Sequence, residues 1–209
     1  MSRQNLKGGA LLAPVPPALV SCGAGEEKNV LTVAWTGVIS TKPPRVSISV
    51  RPTRHSHHLI EESGEFVINL PTEALVRAVD YSGMYTGAKV DKFQKCGLTA
   101  VPSSVVACPS IAESPLSLEC RVFQKIELGS HDMFLADVVA VTADDALFDA
   151  TGKLCLDRAH LCAYAHGEYF ALGRRLGKFG FAATKKKKPP KNQASGHTGT
   201  LKQKKEGQR

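Results

Sequence analysis

The chain has 209 residues, 43% of them hydrophobic, which is enough for one core and too apolar for a disordered chain. Its formal charge of +8 would suit a nucleic-acid partner if it were spread over a fold, but nine basic residues and a single acid fall in 182–209. Residues 1–181 therefore balance in charge and carry no basic footprint for nucleic acid.

Arg3 and Lys7 precede an apolar run over 10–20, and Leu19-Val20-Ser21-Cys22 looks like a lipoprotein cleavage box. Pro14, Pro16 and Pro17 interrupt that run, whereas an export signal needs a compact, usually helical core of about 7 to 15 apolar residues. It reads instead as two weak strands, 10–15 and 18–22, of a cytoplasmic protein. No apolar stretch approaches the roughly 18 residues that span a bilayer.

Period-two alternation rich in Val, Ile and Thr predicts strands over 30–35, 46–50, 66–70, 118–128 and 133–142. The clearest is Val46-Ser47-Ile48-Ser49-Val50, with Val and Ile on one face and the serines on the other. Punctuated by Pro and Gly, the series predicts a mainly β, antiparallel barrel. Two short helices are expected between strands. One covers 56–64, with Ser56 as N-cap and Gly64 as the left-handed residue that ends it. The other covers 73–81 behind Thr72, with Leu75, Val76 and Val79 as its apolar stripe. From 182 the composition turns to Lys, Gly, Gln, Thr and Pro, so the expected organisation is a 1–181 domain and a disordered Lys-rich tail over 182–209. Such a tail makes at most weak, salt-sensitive contact with nucleic acid.

Three features bear on chemistry. A strand ends at Ser49, Val50 and Arg51, Pro52 turns the chain, and a helix starts near Ser56, so that helix N–H groups, a hydroxyl and a guanidinium come together as they would around a phosphate. The same residues would also make an ordinary capped helix with a surface arginine. His55, His57 and His58 lie close in sequence, but no H-E-x-x-H pattern follows and neighbours diverge on a helix, so no metal site is expected. Cys22, Cys96, Cys108, Cys120, Cys155 and Cys162 contain no C-x-x-C pair and read as reduced, mostly buried thiols. With no nucleophile elbow, Walker loop or G-x-G-x-x-G, what remains is an anion-binding barrel.

In order, Asn29-Val30-Leu31-Thr32-Val33-Ala34-Trp35, Lys42-Pro43-Pro44-Arg45-Val46, Ser49-Val50-Arg51, Ser56-His57-His58-Leu59-Ile60, Glu65-Phe66-Val67-Ile68-Asn69, Ser82-Gly83, Asp91-Lys92-Phe93, Glu119-Cys120 and Gly129-Ser130-His131 resemble the flavin-reductase-like, or flavoredoxin, family of FMN-binding split barrels. The resemblance covers roughly 8–181. It implies a six-stranded antiparallel Greek-key split barrel with flanking short helices, a homodimer and bound FMN. It further implies that Thr32, Val33, Ala34 and Trp35 run along the isoalloxazine and that Asn29 adds a polar contact. Ser49, Val50, Arg51 and Ser56 would hold the phosphate, with Lys92 as a further cation and Ser82 beside it. His131 would stand at the mouth, near the nicotinamide. Ser56 departs from a more usual threonine, and Ala136 from a frequent glycine. The implied activity is an NAD(P)H-dependent flavin reductase that takes electrons from NADH or NADPH and serves an oxygenase or an electron-acceptor protein. An FMN electron carrier without enzymatic activity and an oxidase of the pyridoxamine-phosphate kind share the fold, which does not choose among them.

Overall fold

The computed structural model describes residues 2–183. The chain divides into two units, Met1–Arg174 and Arg175–Arg209. Of the second, residues 175–183 are described and contain one 3-10 turn, Phe181–Ala183. The expected Lys-rich tail lies, from residue 184 on, outside the described residues. Among the described residues no helix is long and apolar enough to cross a membrane.

In chain order the first unit has β1 (Ala18–Cys22), β2 (Asn29–Val33), β3 (Thr36–Thr41), β4 (Pro44–Val50), α1 (His55–Ser63), β5 (Glu65–Asn69), α2 (Val76–Met84), α3 (Lys92–Cys96), β6 (Ala100–Val101), β7 (Ser110–Ile111), β8 (Leu116–Glu127), β9 (Asp132–Ala143), β10 (Cys162–Ala165) and β11 (Glu168–Ala171). Seven strands pair in the order β2-β1-β5-β8-β9-β4-β3, antiparallel throughout, while β6-β7 and β10-β11 form separate small ladders.

β2 and β3 sit at opposite ends of that order, yet only Ala34 and Trp35 separate them. Three residue steps span about 10 Å at most, so the sheet has to curl until its ends approach. The Ser49 N–H donates to the Trp35 carbonyl at 2.9 Å, which extends the β3–β4 ladder by one residue toward β2. The result is a split barrel of seven strands rather than the expected six. β3 is the extra strand, and its exposed Val38 and Ile39, with a register shift between Val38 and Ser40, blur the alternation that would have announced it.

Alternation in β4 is as expected, with Val46, Ile48 and Val50 buried in the barrel beside Val20, Leu31, Val33, Phe66 and Phe134. β1 is buried on both faces. Ala18, Val20 and Cys22 point into the barrel, and Leu19 packs under α2 and α3 with Val30, Val79 and Phe93. The Leu19–Cys22 segment is thus an interior strand. The expected strand at 10–15 is absent; only Val15 pairs, with Tyr164, because neighbouring prolines lack the N–H a ladder requires.

Both expected helix caps are corrected. α1 starts one residue earlier, with Arg54 at the N-cap position and no side-chain cap, so Ser56 lies inside the first turn, buried. Thr72 makes no side-chain cap either and heads a 3-10 turn, Glu73–Leu75, before α2. Gly64 ends α1 in the left-handed region (φ 66°), as its lack of a Cβ allows.

Two buried polar contacts fasten the layers. His57 Nε2–H donates to Asp132 Oδ2 at 2.8 Å and ties α1 to the start of β9. The wholly buried Glu119 carboxylate accepts from the N–H groups of Ser104, Val105 and Val106 and the Ser104 hydroxyl at 2.7–3.2 Å, pinning that loop to β8.

Candidate functional site

The seam between β2 and β4 opens into a cleft of about 510 Å3, a volume within the range of small-molecule sites. One wall is Leu31 to Trp35, and the floor is Ser49, Val50 and Arg51. Asp80, Gly83 and Met84 of α2 and the aromatic Tyr164 and Tyr169 around the β10–β11 turn face them. Arg54 and His131 stand at one side. A smaller recess shares Leu31, Thr32, Arg54 and Gly83 with the cleft and is completed by Asn29, His55, Ser56, Ser82, Tyr85, Thr86, Gly87 and Lys92.

β2 is an end strand, so its outer edge lacks a strand partner. The Val30 carbonyl points outward, where Lys92 takes it, and the two-residue period places the main-chain groups of Thr32 on the same free edge. The Thr32 hydroxyl donates to the Val79 carbonyl of α2 at 2.5 Å. Thr32 therefore offers the cleft its backbone. Val33 and Val50 also line the cleft, while their side chains belong to the core. Trp35 is 40% exposed and presents its ring.

The recess is built for an anion. Ser56 Oγ accepts from Asn29 Nδ2 at 2.7 Å, and an amide nitrogen only donates, so Ser56 keeps its hydroxyl proton as a donor, with the Cys22 thiol within its reach. Asn29 is held tightly by Gly87, where any Cβ would fall 2.2 Å from its Oδ1. Lys92 is buried and donates to the Val30 and Ser82 carbonyls at 2.7 and 3.0 Å. An ammonium has three N–H groups, and no third partner exists among the described residues. Burial foremost, then the Arg54 guanidinium, brings Lys92 down to about 8. Arg54 and the first turn of α1 border the same space. Its free volume is only about 10 Å3, and the exposed side chains of Arg54 and Tyr85 border it.

His131 follows the tight turn after β8, its carbonyl accepting from Leu128 N–H at 2.9 Å, and its Nδ1 pairs with the Ser130 hydroxyl at 2.9 Å. Burial, then Arg51 and Arg54, hold its imidazole below the usual histidine range. Neither guanidinium has a carboxylate partner among the described residues.

All twelve residues singled out from sequence thus border these two hollows, but not all through their side chains. The Ser82 hydroxyl turns to Cys96 Sγ at 3.8 Å, leaving its carbonyl for Lys92. Arg51 borders the broad cleft and not the recess, where Arg54 takes the place expected for it. Sequence reasoning missed Arg54, His55, Asp80, Met84, Tyr164 and Tyr169. Arg54 could have been found from its place in the turn before α1, whereas the aromatic turn carries no local signal. His55 and His58 rings meet edge-on at 4.8 Å while His57 serves Asp132, so the three do not converge.

A curled antiparallel sheet whose open seam holds an anion recess beside a flat cleft defines the class of FMN-binding split barrels. The profile described as "Flavin reductase like domain" matches residues 11–173, and the chain belongs to that family. It is similar to flavoredoxin of Desulfovibrio vulgaris (Miyazaki F), with a TM-score of 0.82, 30% identity, and 88% of this chain and 100% of that one covered. It also resembles nitrilotriacetate monooxygenase component B from Bacillus cereus, with a TM-score of 0.74, 20% identity, and 85% and 100% covered. An uncharacterized protein of Archaeoglobus fulgidus is 38% identical over 138 residues, 66% of this chain and 77% of that one.

Proposed function

We propose that the protein is an NAD(P)H-dependent flavin reductase. FMN is its cofactor and, when bound, supplies the redox chemistry by accepting a hydride at N5 from a reduced nicotinamide. The observation that carries the reading is the pairing of an anion recess, with its unfilled Lys92 and Ser56 donors, and a flat cleft along the free edge of β2. The recess suits the ribityl phosphate, and the cleft suits the polar edge of a planar ring system.

Each residue then has a bounded task. Lys92, Ser56 and Arg54 bind the phosphate, and Asn29 orients Ser56. The main chain from Thr32 to Trp35, with Ser49 and Val50 opposite, receives the ring edge, and Trp35 and the tyrosines exclude water from its faces. Arg51 and the neutral imidazole of His131 remain at the mouth for the second substrate. His131→Ala is expected to raise the KM for the nicotinamide, and unchanged turnover and KM would remove His131 from the mechanism.

The protein works as a homodimer in this reading, supported by exposed apolar side chains on β3, β8 and β9, among them Val38, Ile39, Phe123, Val139 and Val141. The likeness to monooxygenase component B favours an oxygenase as the partner, and the likeness to flavoredoxin favours the alternative of an FMN electron carrier. Anaerobic addition of NADH or NADPH to FMN-supplemented protein tests both. Bleaching of the flavin band over many turnovers establishes the reductase and its donor. A yellow protein that neither nucleotide reduces establishes the carrier, and a colourless one that refuses FMN overturns the site.

A further inference from the structure

The cations around the cleft fall into two groups. Of the cations, Lys92 borders only the recess, with the uncharged Ser56 and Asn29, and Arg51 borders only the broad cleft, with the His131 imidazole; Arg54 borders both. The electrostatics divide the same way. Arg54 is the cation that lowers Lys92, with no contribution from Arg51. His131 is lowered by Arg51 ahead of Arg54, with no contribution from Lys92. An FMN phosphate seated in the recess has a buried ammonium, a hydroxyl, a helix N-terminus and the Arg54 guanidinium, so its charge is met there. Arg51 is left over. Its guanidinium is exposed, has no carboxylate partner among the described residues, and lies beside an imidazole whose Nε2 also lacks a partner there.

We propose that Arg51 and His131 form a second anion subsite, distinct from the flavin phosphate recess, which takes a phosphate group of the nicotinamide dinucleotide. The inference rests on the reductase reading for its ligand, and on the separation of the two cation groups for its place. A guanidinium forks onto a phosphate with two parallel N–H donors. The neutral imidazole adds a third donor through Nε2–H when Nδ1 accepts from Ser130, and a nearby dianion favours its protonated form. A dinucleotide lying over the cleft would then be anchored by a phosphate at the Arg51 side, with its flat nicotinamide ring along Trp35. Arg51 becomes a determinant of donor affinity rather than of flavin retention.

The test uses the full chain loaded with FMN. Trp35 is the single tryptophan of the sequence and borders the cleft, so quenching of its emission reports flavin binding. Arg51→Ala is expected to leave the FMN Kd within about twofold while raising donor KM about tenfold or more, the loss of one charge-assisted fork. Arg54→Ala should do the opposite, weakening FMN and sparing donor KM. A rise for NADPH alone assigns the 2′-phosphate, and an equal rise for NADH assigns the pyrophosphate. Arg51→Lys, which keeps the charge but not the fork, should fall between. The proposal is overturned if Arg51→Ala weakens FMN as much as Arg54→Ala does, or leaves donor KM unchanged. If the wild-type protein oxidises neither nucleotide the reductase reading fails, and calorimetric titration of the holoprotein with NADP+ and NAD+ decides the subsite separately. Binding lost on Arg51→Ala upholds it, and no binding to the wild type removes it.

Discussion

Replacing His57 by alanine removes the imidazole that joins α1 to β9, and the structure sets the size of the effect. Both side chains of the His57–Asp132 pair are 8% exposed, and Nε2 lies 2.8 Å from Oδ2. Stripping a buried charge of its partner costs about 3–5 kcal/mol. Here Lys125 Nζ lies 3.9 Å from the same oxygen, although it is engaged with Glu61 at 2.5 Å, so part of the Asp132 charge stays compensated. We therefore expect the lower end, about 3 kcal/mol, which is roughly 6–12 °C in Tm at about 2–4 °C per kcal/mol for a domain of this size. Asp132→Asn keeps an acceptor oxygen for the imidazole N–H and should cost only about 1 kcal/mol. Urea unfolding followed by Trp35 emission, with both variants compared at equal m, measures the difference. If His57→Ala unfolds at the wild-type midpoint, or Asp132→Asn costs as much as it does, the pair does not fasten the layers as argued.

Glu119 gives a pH-dependent effect. Its four donors from residues 104–106 outweigh burial and hold its carboxyl below the usual range. The stability they supply is present above the unfolded carboxylate pKa of about 4.3 and is lost as pH falls through the lower folded value. Glu119→Gln should lower Tm at pH 7 and lose less on acidification than wild type does. Parallel Tm curves between pH 7 and pH 3 would refute this. Among the thiols, burial pushes Cys22 up to about 11 and Cys108 and Cys120 up to about 12. With Cys162 also buried, only Cys96 and Cys155 should react promptly with a disulfide reagent at pH 8, the other four reacting after denaturation. Six prompt thiols would contradict the packing.

Legibility from sequence followed the range of each interaction. The β4 alternation, Gly64 and the Ser49–Arg51 strand end are local and were readable, because each depends on a period or on one residue's backbone freedom. A helix start misplaced by a single residue was enough to pass over Arg54, since the first turn of α1 decides which guanidinium borders the recess. Lys92 reads as a surface charge in Asp91-Lys92-Phe93 until α3 lays it under β2, where two carbonyls replace its water. Tyr164 and Tyr169 were beyond reach. They lie some 130 residues from Trp35 in the chain, and long-range contacts, among them the bridge between Val15 and Tyr164 and the bond from the Tyr169 hydroxyl to Asp80, bring their turn to the cleft.

The position of the site follows from how the barrel is closed. Had β2 paired with the other end strand, β3, along its length, every main-chain group would be spent in the ladder and the seam would be dry core. The chain instead crosses from one sheet end to the other through Ala34 and Trp35, whose carbonyl extends the β3–β4 ladder by accepting from Ser49, and the outer edge of β2 has no strand partner among the described residues. Unpaired edges invite other strands, and here α2, the aromatic turn and the cations flank the β2 edge instead. The same feature that prevents full closure thus selects the chemistry of the ligand. It also leaves the mouth of the cleft, with Arg51, His131 and Met84, open to change without disturbing the recess around Lys92 and Ser56.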